Sequence, residues 1–292
     1  MFLFGRLLAE DPSLGSVVKT YGPDWTPTPY LYYLAALDVF ETGDLLPTRT
    51  SAFGTPIADD WRMSIAWGRT LVQLASEVIA LTREVQSNST RRSESPAVPL
   101  LIEQPKWPVN SPFSAIMSRR PPVTRRIQLQ TASPQDLMVF AKDHLSRAMF
   151  YIPRQKYDTL SSFSVPKVTT FGSLPGPSTT SELPFCRANE LYMIGYEVTC
   201  IAEQFEVASE RRSWASWADS IFGQLKEEAD TDKARSPIMR ARGRCWLIIG
   251  NAHAVDLRSA MNNGQTYILH SKEAGEVRQA LTRGIARILV AI

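Results

Sequence analysis

The stretch Trp67–Val85, which reads WGRTLVQLASEVIALTREV, decides the fold class of this 292-residue chain. Its large apolar residues recur at alternating steps of four and three, the spacing of one face of an α-helix. A second apolar row lies beside the first, and polar residues occupy the opposite side, so the stretch predicts a long amphipathic helix with a wide buried face. The first row is Trp67, Leu71, Leu74, Val78, Leu81 and Val85, and the second is Trp61, Ile65, Val72, Ala75 and Ile79.

Start and stop signals extend the helical interpretation along the chain. Thr55-Pro56 is typical of a helix start, and Asp59 and Asp60 then occupy the first turn, where the helix dipole favours acids. Similar starts are expected at Ser133-Pro134-Gln135-Asp136, at Ser213, at Ser236-Pro237 and near Ser271, and Asn262-Asn263-Gly264 is a stop signal.

Apolar faces follow these starts, and alternation typical of strands is absent over any useful length, so the predicted fold class is all-α. The expected faces are Leu137, Phe140, Ala141, Leu145 and Ala148; Leu191, Ile194, Val198, Ile201, Phe205 and Ala208; Trp214, Ala218, Ile221 and Leu225; Cys245, Ile248, Ala252 and Val255; and Val277, Leu281, Ile285, Ile288 and Ile292.

Two of the predicted helices share a pattern. Trp246-x-x-Ile249-Gly250-x-x-His253 has the spacing of the first helix of a tetratricopeptide (TPR) unit, and Leu191-x-x-Ile194-Gly195-x-x-Val198 repeats it 55 residues earlier. Ala218-x3-Phe222-x2-Leu225 matches the second-helix spacing. Because the offset exceeds the usual ~34 residues, we predict a TPR-like helical repeat or α-solenoid with enlarged turns, not a regular array.

Proline-rich segments divide the chain. The sequence predicts an N-terminal helical region (1–85), a basic Pro/Ser-rich linker (86–133), a helix (134–152), a Pro/Ser/Thr-rich linker (153–186) and C-terminal TPR-like helical pairs (187–292). Prolines restrict the backbone too strongly for long helices or central strands, so both linkers are expected to be long, largely irregular loops.

The basic linker holds most of the charge asymmetry of a chain whose net charge is only +3. Arg119, Arg120, Arg125 and Arg126 form a short cluster that is typical of a nuclear-import signal or an RNA-binding patch. Trp107 and Phe113 lie nearby and could stack on bases. The simpler interpretation is a solvated loop that binds nothing specific.

Aromatic residues suggest where a protein partner would bind. Tyr30, Tyr32, Trp214 and Trp217 are the candidates, because Tyr and Trp are enriched at interface hot spots. The alternative is that these aromatics fill the core, as aromatic residues at helical spacing more often do.

Chemistry-bearing motifs are scarce. The sequence has no metal-ligand spacing, phosphate-binding loop, dinucleotide motif or nucleophile elbow, so we expect no cofactor, no metal, no small-molecule substrate and no enzyme activity. A helical isoprenoid synthase would need more carboxylates than Asp59 and Asp60 offer. His144 and His253 are interpreted as packing residues, and Cys200 and Cys245 as small buried residues.

The expected compartment is reducing. Three cysteines without a Cys-x-x-Cys pair predict no disulfide framework. No apolar run approaches the ~18–20 residues of a membrane span, and the N-terminus has no features of a secretory signal, so we expect neither a membrane association nor secretion.

Three segments resemble the fungal enhancer-of-translation-termination family: the helix Pro29–Leu37, the stretch Asp60–Val72, and Arg240–Trp246. The resemblance implies a TPR-like, non-catalytic nuclear protein that acts through protein partners in translation termination and hypoxic gene control. Family members begin with a lysine-rich tail, whereas this chain begins directly in helical sequence. The resemblance assigns no binding residue.

Together these observations predict a helical-repeat adaptor that regulates translation or transcription by binding protein partners. The expected location is the nucleus, with the cytoplasm as the alternative. An RNA-associated factor acting through the arginine-rich linker is the second hypothesis.

Overall fold

The computed structural model describes residues 6–7, 28–45, 61–89, 107, 109, 114–115, 118, 132–153, 187–228, 232–265 and 269–291. Within these ranges there is no strand, and the predicted all-α class is confirmed. The helices with assigned bounds are α1 (Pro29–Leu45), α2 (Trp61–Ser89), α3 (Pro134–Tyr151), α4 (Arg187–Ala202), α5 (Ala208–Glu228), α6 (Asp232–Asn262) and α7 (Lys272–Val290).

These helices belong to two compact units. The first unit contains α1 to α3, and the second, which begins at Ile152, contains α4 to α7. The expected helix start at Thr55–Asp60 lies outside the described residues, as do nearly all of the linker 153–186 and most of the linker 86–133, into which α2 extends by four residues.

In the first unit, one stretch of α1 is buried on all sides. Seven consecutive residues, Tyr32–Asp38, are at most 3% exposed, so neighbours surround this stretch instead of covering a single face. The Trp107 ring contacts the Tyr32 ring at a centroid distance of 5.1 Å. This stretch is therefore part of the core of the first unit, whereas Val39, directly after it, is 43% exposed.

The α2–α3 contact is close because Gly68 has no side chain. A Cβ at Gly68 would lie 2.5 Å from Leu145 Cγ, and next to this point the Trp67 and His144 rings stack at 4.0 Å. The packing role predicted for His144 is confirmed, since the residue is 7% exposed. Most of both predicted apolar rows of α2 is buried, but Leu81, toward the end of the helix, is 39% exposed.

The predicted start of α3 is confirmed as a capping box. Ser133 Oγ accepts a hydrogen bond from the Asp136 backbone N–H (3.1 Å), and the Asp136 carboxylate accepts one from the Ser133 N–H (2.9 Å). The Ser133 hydroxyl also donates to the Asp136 carboxylate (2.7 Å), and this bond, together with the one from the Ser133 N–H, lowers the pKa of Asp136. Phe140, which was predicted to lie on the buried face of α3, is 38% exposed. Met138, which was not part of that prediction, is fully buried.

In the second unit, two predicted helix starts are corrected. Ser213 lies inside α5, which begins at Ala208, and Arg211 donates two hydrogen bonds to the Phe205 carbonyl oxygen before that start. Likewise α6 begins at Asp232, so Pro237 lies in its second turn. The Ser236 hydroxyl donates to the Ala291 carbonyl oxygen at the end of α7 instead of capping α6.

The predicted stop of α6 is confirmed. Gly264 has a φ of +83°, in the left-handed region that glycine adopts without strain. Its N–H bonds the Met261 carbonyl oxygen (2.9 Å), and the Gln265 N–H bonds that of Ala260 (3.2 Å), which is the pattern of a Schellman motif.

The buried face of α7 differs from the prediction. Ser271 caps the helix as expected, since its hydroxyl accepts from the Ala274 N–H. Ile285 is 52% exposed, however, while Ala280 and Gly284 are buried. Small residues face α6 because they let the two helices approach, and Ile292 lies outside the described residues.

Three glycines produce this close approach. A Cβ at Gly243 would lie 2.6 Å from Ile288 Cγ1 and 2.9 Å from the Gly284 carbonyl oxygen, and one at Gly284 would lie 3.0 Å from the Gly243 carbonyl oxygen. Two turns further along α6, a Cβ at Gly250 would lie 2.6 Å from Leu281 Cδ2. The backbones of α6 and α7 are therefore in direct contact.

Contacts between the helices of the second unit give their directions. Asp219 of α5 pairs with Arg242 of α6, and Arg212 lies against His253, so later residues of one helix meet earlier residues of the next. The same order holds for α6 and α7. Successive helices from α5 onward are thus antiparallel, and α4 joins α5 through a connection of only five residues.

Replacing Gly243 by alanine is expected to destabilise the chain by about 1–3 kcal/mol, because the added methyl group overlaps a backbone oxygen that has no rotamer to change. Gly275 is the matched control, since it is helical and nothing lies within 4 Å of its added Cβ. Gly275→Ala should raise stability by about 0.5–1 kcal/mol. Urea unfolding followed by circular dichroism measures both; equal effects of the two substitutions would contradict the packing described.

Candidate functional site

The four aromatic residues predicted to bind a partner lie in different environments. Tyr32 is 0% exposed and Trp214 is 3% exposed, so the expectation of an accessible surface is corrected for these two. They fill the cores of their units, as aromatic residues at helical spacing do. Tyr30 and Trp217 are partly exposed, and the Trp217 ring meets the Trp214 ring edge-on at 5.9 Å.

The basic cluster of the linker, Arg119, Arg120, Arg125 and Arg126, lies outside the described residues. Trp107, which was expected to be available for base stacking, is 8% exposed and packs on Tyr32. The proposed stacking role is therefore corrected for Trp107, and Phe113 lies outside the described residues.

A surface groove between α4 and α6 is a candidate binding site among the described residues of the second unit. Its volume is about 220 Å³. We call it the α4–α6 groove; it is lined by Tyr192, Tyr196 and Thr199 of α4, Phe222 of α5, and Pro237, Arg240, Ala241 and Arg244 of α6.

Helical spacing explains how the groove forms. Tyr192 and Tyr196 are four residues apart on α4, and Arg240 and Arg244 are four residues apart on α6, so each pair lies on one face of its helix. Phe222 lies beneath them, fully buried, with its ring against the site where a Gly195 Cβ would lie. The absence of a side chain at Gly195 therefore lets Phe222 pack against α4.

Arg244 crosses the groove and is held in place. Its Nε donates to Glu203 Oε1 at 2.6 Å, its Nη2 bonds the other carboxylate oxygen, and its guanidinium lies 5.9 Å from the centre of the Tyr196 ring. This forked pairing raises the pKa of Arg244. Arg244 and Glu203 therefore largely cancel each other's charge.

Arg240 differs from Arg244 in having no such carboxylate. It is exposed, and no acidic group of the described residues lies within ion-pair distance of it. The pKa of Tyr192 is raised by burial, with Arg240 acting in the opposite direction, so this phenol stays neutral beside the cation. Within the described part of the chain, the groove thus combines two neutral phenols with an arginine, Arg240, that has no carboxylate partner.

The thiols next to the groove are protonated. Burial raises the pKa of Cys200, which is partly exposed, and raises that of Cys245 to about 12. Cys245 is 0% exposed, and its sulfur lies 3.4 Å from the Thr199 hydroxyl. Since the thiolate is the nucleophilic form, neither cysteine has the properties of an activated nucleophile.

A second polar cluster joins α5, α6 and α7. The Asp219 carboxylate accepts from Arg242 Nε at 2.8 Å and from Arg287 at 3.3 Å. Arg283 and Arg287 also lie over the Trp246 ring, at 5.0 and 5.3 Å from its centre. Asp219 therefore joins α5 to α6 and α7 by pairing with two arginines, and burial together with the charge of Arg242 lowers the pKa of Arg287.

The described part of the chain contains no group of three or more His, Cys, Asp or Glu side chains arranged to hold a metal ion. Among the same residues, no helix combines the length and the apolar character that crossing a bilayer requires.

The sequence contained a signal for the groove that the prediction of partner-binding residues overlooked. Tyr192 and Tyr196 share a face, and Arg240 and Arg244 share another, at the spacing used above to find buried faces. Which two faces meet depends on the packing of α4 against α6, and spacing within one helix does not contain that information.

Comparisons with known proteins give no family. No protein-family model, no curated protein and no solved structure matches the chain.

The cysteines provide a test of this site. We expect iodoacetamide to modify Cys245 in the native chain far more slowly than an ordinary exposed thiol, because the sulfur is buried and its pKa of about 12 leaves little thiolate at neutral pH. Cys200 should react at an intermediate rate. Peptide mass spectrometry after timed labelling measures each site, with the urea-unfolded chain as the control. Native Cys245 reacting as fast as in urea would contradict its buried position.

Proposed function

We propose that this chain is a non-catalytic helical-repeat adaptor that binds a protein partner in the α4–α6 groove. The observation that carries the proposal is the groove itself: two tyrosine rings and an exposed arginine line a concave surface between two helices. Tyr and Arg are among the residues that contribute most binding energy at protein interfaces.

The packing of glycines supports a repeat of two helical pairs, α4–α5 and α6–α7. Gly195 of α4 contacts Phe222 of α5, and Gly250 of α6 contacts Leu281 of α7. Both glycines occupy the same position of the pattern that predicted a TPR-like unit, and in both pairs a large side chain of the second helix fills the space. We take these pairs as diverged TPR-like units of a short solenoid.

The position of the groove agrees with this repeat. It lies mainly between α4 and α6, the first helices of the two pairs, and stacked helical pairs commonly bind partners on the surface that equivalent helices share. The groove therefore depends on the repeat, because α5, which packs against both α4 and α6, places α6 next to α4.

The biological setting proposed for this adaptor comes from the family resemblance. Arg240–Trp246, one of the segments that resemble the fungal enhancer-of-translation-termination family, supplies both groove arginines. We therefore propose a role in translation termination and related control of transcription, in the nucleus or alternatively in the cytoplasm. The second candidate, RNA binding, rests on Arg119, Arg120, Arg125 and Arg126 of the linker.

Affinity capture from native extract tests the proposal. The intact chain is expected to retain a small set of proteins at high salt, and Arg240→Glu should lose them, because it reverses the exposed charge of the groove. Arg278→Glu is the matched control, since Arg278 is also exposed and helical but lies on α7, away from the groove. Mass spectrometry and RNA sequencing identify what is bound.

The outcomes separate the two candidates. Retention of the same proteins by Arg240→Glu would contradict binding in the groove. RNA retained at low salt and lost at high salt, without a stable protein partner, would support the linker hypothesis, because phosphate contacts release counterions.

A further inference from the structure

We infer that the α4–α6 groove accepts an acidic peptide segment, with one carboxylate bound at Arg240 and a neighbouring apolar side chain between Tyr192 and Tyr196. This inference rests on the proposed function and specifies the chemistry of the partner. It follows from three properties of the groove: its charge, its size and the chemistry of its walls.

The charge of the groove identifies the carboxylate. Glu203 already neutralises Arg244 through a forked hydrogen-bonded pair, and the two side chains are only 38–40% exposed. Arg240 has no acidic neighbour within ion-pair distance among the described residues. A guanidinium bonds a carboxylate through two parallel N–H donors, so an aspartate or glutamate side chain is the matching group.

The size of the groove favours a peptide over a small molecule. Its volume of about 220 Å³ is below the ~300–1,000 Å³ that is typical of small-molecule and cofactor sites. A cavity of this size accommodates one or two side chains of a longer segment that continues across the surface. An extended peptide therefore makes better use of the groove than a compact metabolite.

The walls of the groove indicate which kind of peptide side chain would bind next to the carboxylate. Tyr192 and Tyr196 line the groove one helical turn apart, with the Arg244 guanidinium over the Tyr196 ring, and Ala241 adds apolar surface from α6. Burial keeps the Tyr192 phenol neutral, so the walls add no negative charge to oppose an acidic ligand. An apolar side chain next to the carboxylate would bury surface against these rings.

The same features disfavour a nucleic acid. Single-stranded nucleic acids bind along grooves that carry several cations, because each nucleotide adds a phosphate. Among the described residues, Arg240 is the groove cation without a carboxylate partner, and the Glu203 carboxylate at the edge of the groove would repel a phosphate backbone. Of the two macromolecular ligands, the acidic peptide is the one that this charge pattern matches.

Phage display tests the inference with a library of short random peptides and the intact chain as bait. We expect the enriched peptides to contain Asp or Glu adjacent to an apolar residue. A synthetic fluorescent copy of the most enriched peptide is then measured by anisotropy. Arg240→Gln should weaken its binding about tenfold or more, and Arg240→Lys, which keeps the charge but loses the two parallel N–H donors, should give an affinity between those of Arg240→Gln and the unmodified chain. Arg278→Gln should leave binding unchanged.

Three results would overturn the inference. They are enrichment of peptides without acidic residues, acidic peptides that bind Arg240→Gln as tightly as the unmodified chain, and no enrichment at all. If extract proteins are nevertheless captured and lost in Arg240→Glu, the proposed function stands and only the peptide chemistry fails. Binding of a short oligouridylate that Arg240→Gln abolishes would instead identify the groove as a nucleic-acid site.

Discussion

The backbone contact between α6 and α7 is the constraint on which the second unit depends. Gly243 and Gly284 each lie where a methyl group would approach the other's carbonyl oxygen to 3.0 Å or less, and no side chain fits between them. Close packing of this kind fixes the rotation and height of one helix against the other, because a small shift would cause overlap. The exposed position of Ile285 and the burial of Ala280 both follow from it.

The contact with α7 also affects the groove, because α6 packs against three different helices with three of its faces. Gly243 and Gly250 face α7, Arg242 faces Asp219 of α5, and Arg240 and Arg244 face α4. A rotation of α6 that moved the arginines would also break the ion pair with Asp219 and push a backbone atom into α7. The binding chemistry therefore depends on contacts that lie on the other sides of the same helix.

Much of the fold followed from the sequence, and the failures have physical causes. The capping box at Ser133 and Asp136 and the stop at Gly264 are local interactions, so neighbouring residues contain the information. The helix start predicted at Ser236 was wrong because the Ser236 hydroxyl donates a hydrogen bond to a residue 55 positions away instead of capping α6. The groove was missed for a related reason: its tyrosines and arginines are at least 44 residues apart, and only the packing of α4 on α6 brings them together.

Hydrogen–deuterium exchange on the intact chain and on Gly243→Ala measures the central dependence most directly. The account predicts that amides around Gly243–Gly250 are among the slowest in the second unit, and that the substitution accelerates exchange in α6, in α7 and in the α4 residues beside the groove together. Faster exchange confined to the end of α7, with α6 and α4 unchanged, would contradict the claim that the glycine contact supports the groove.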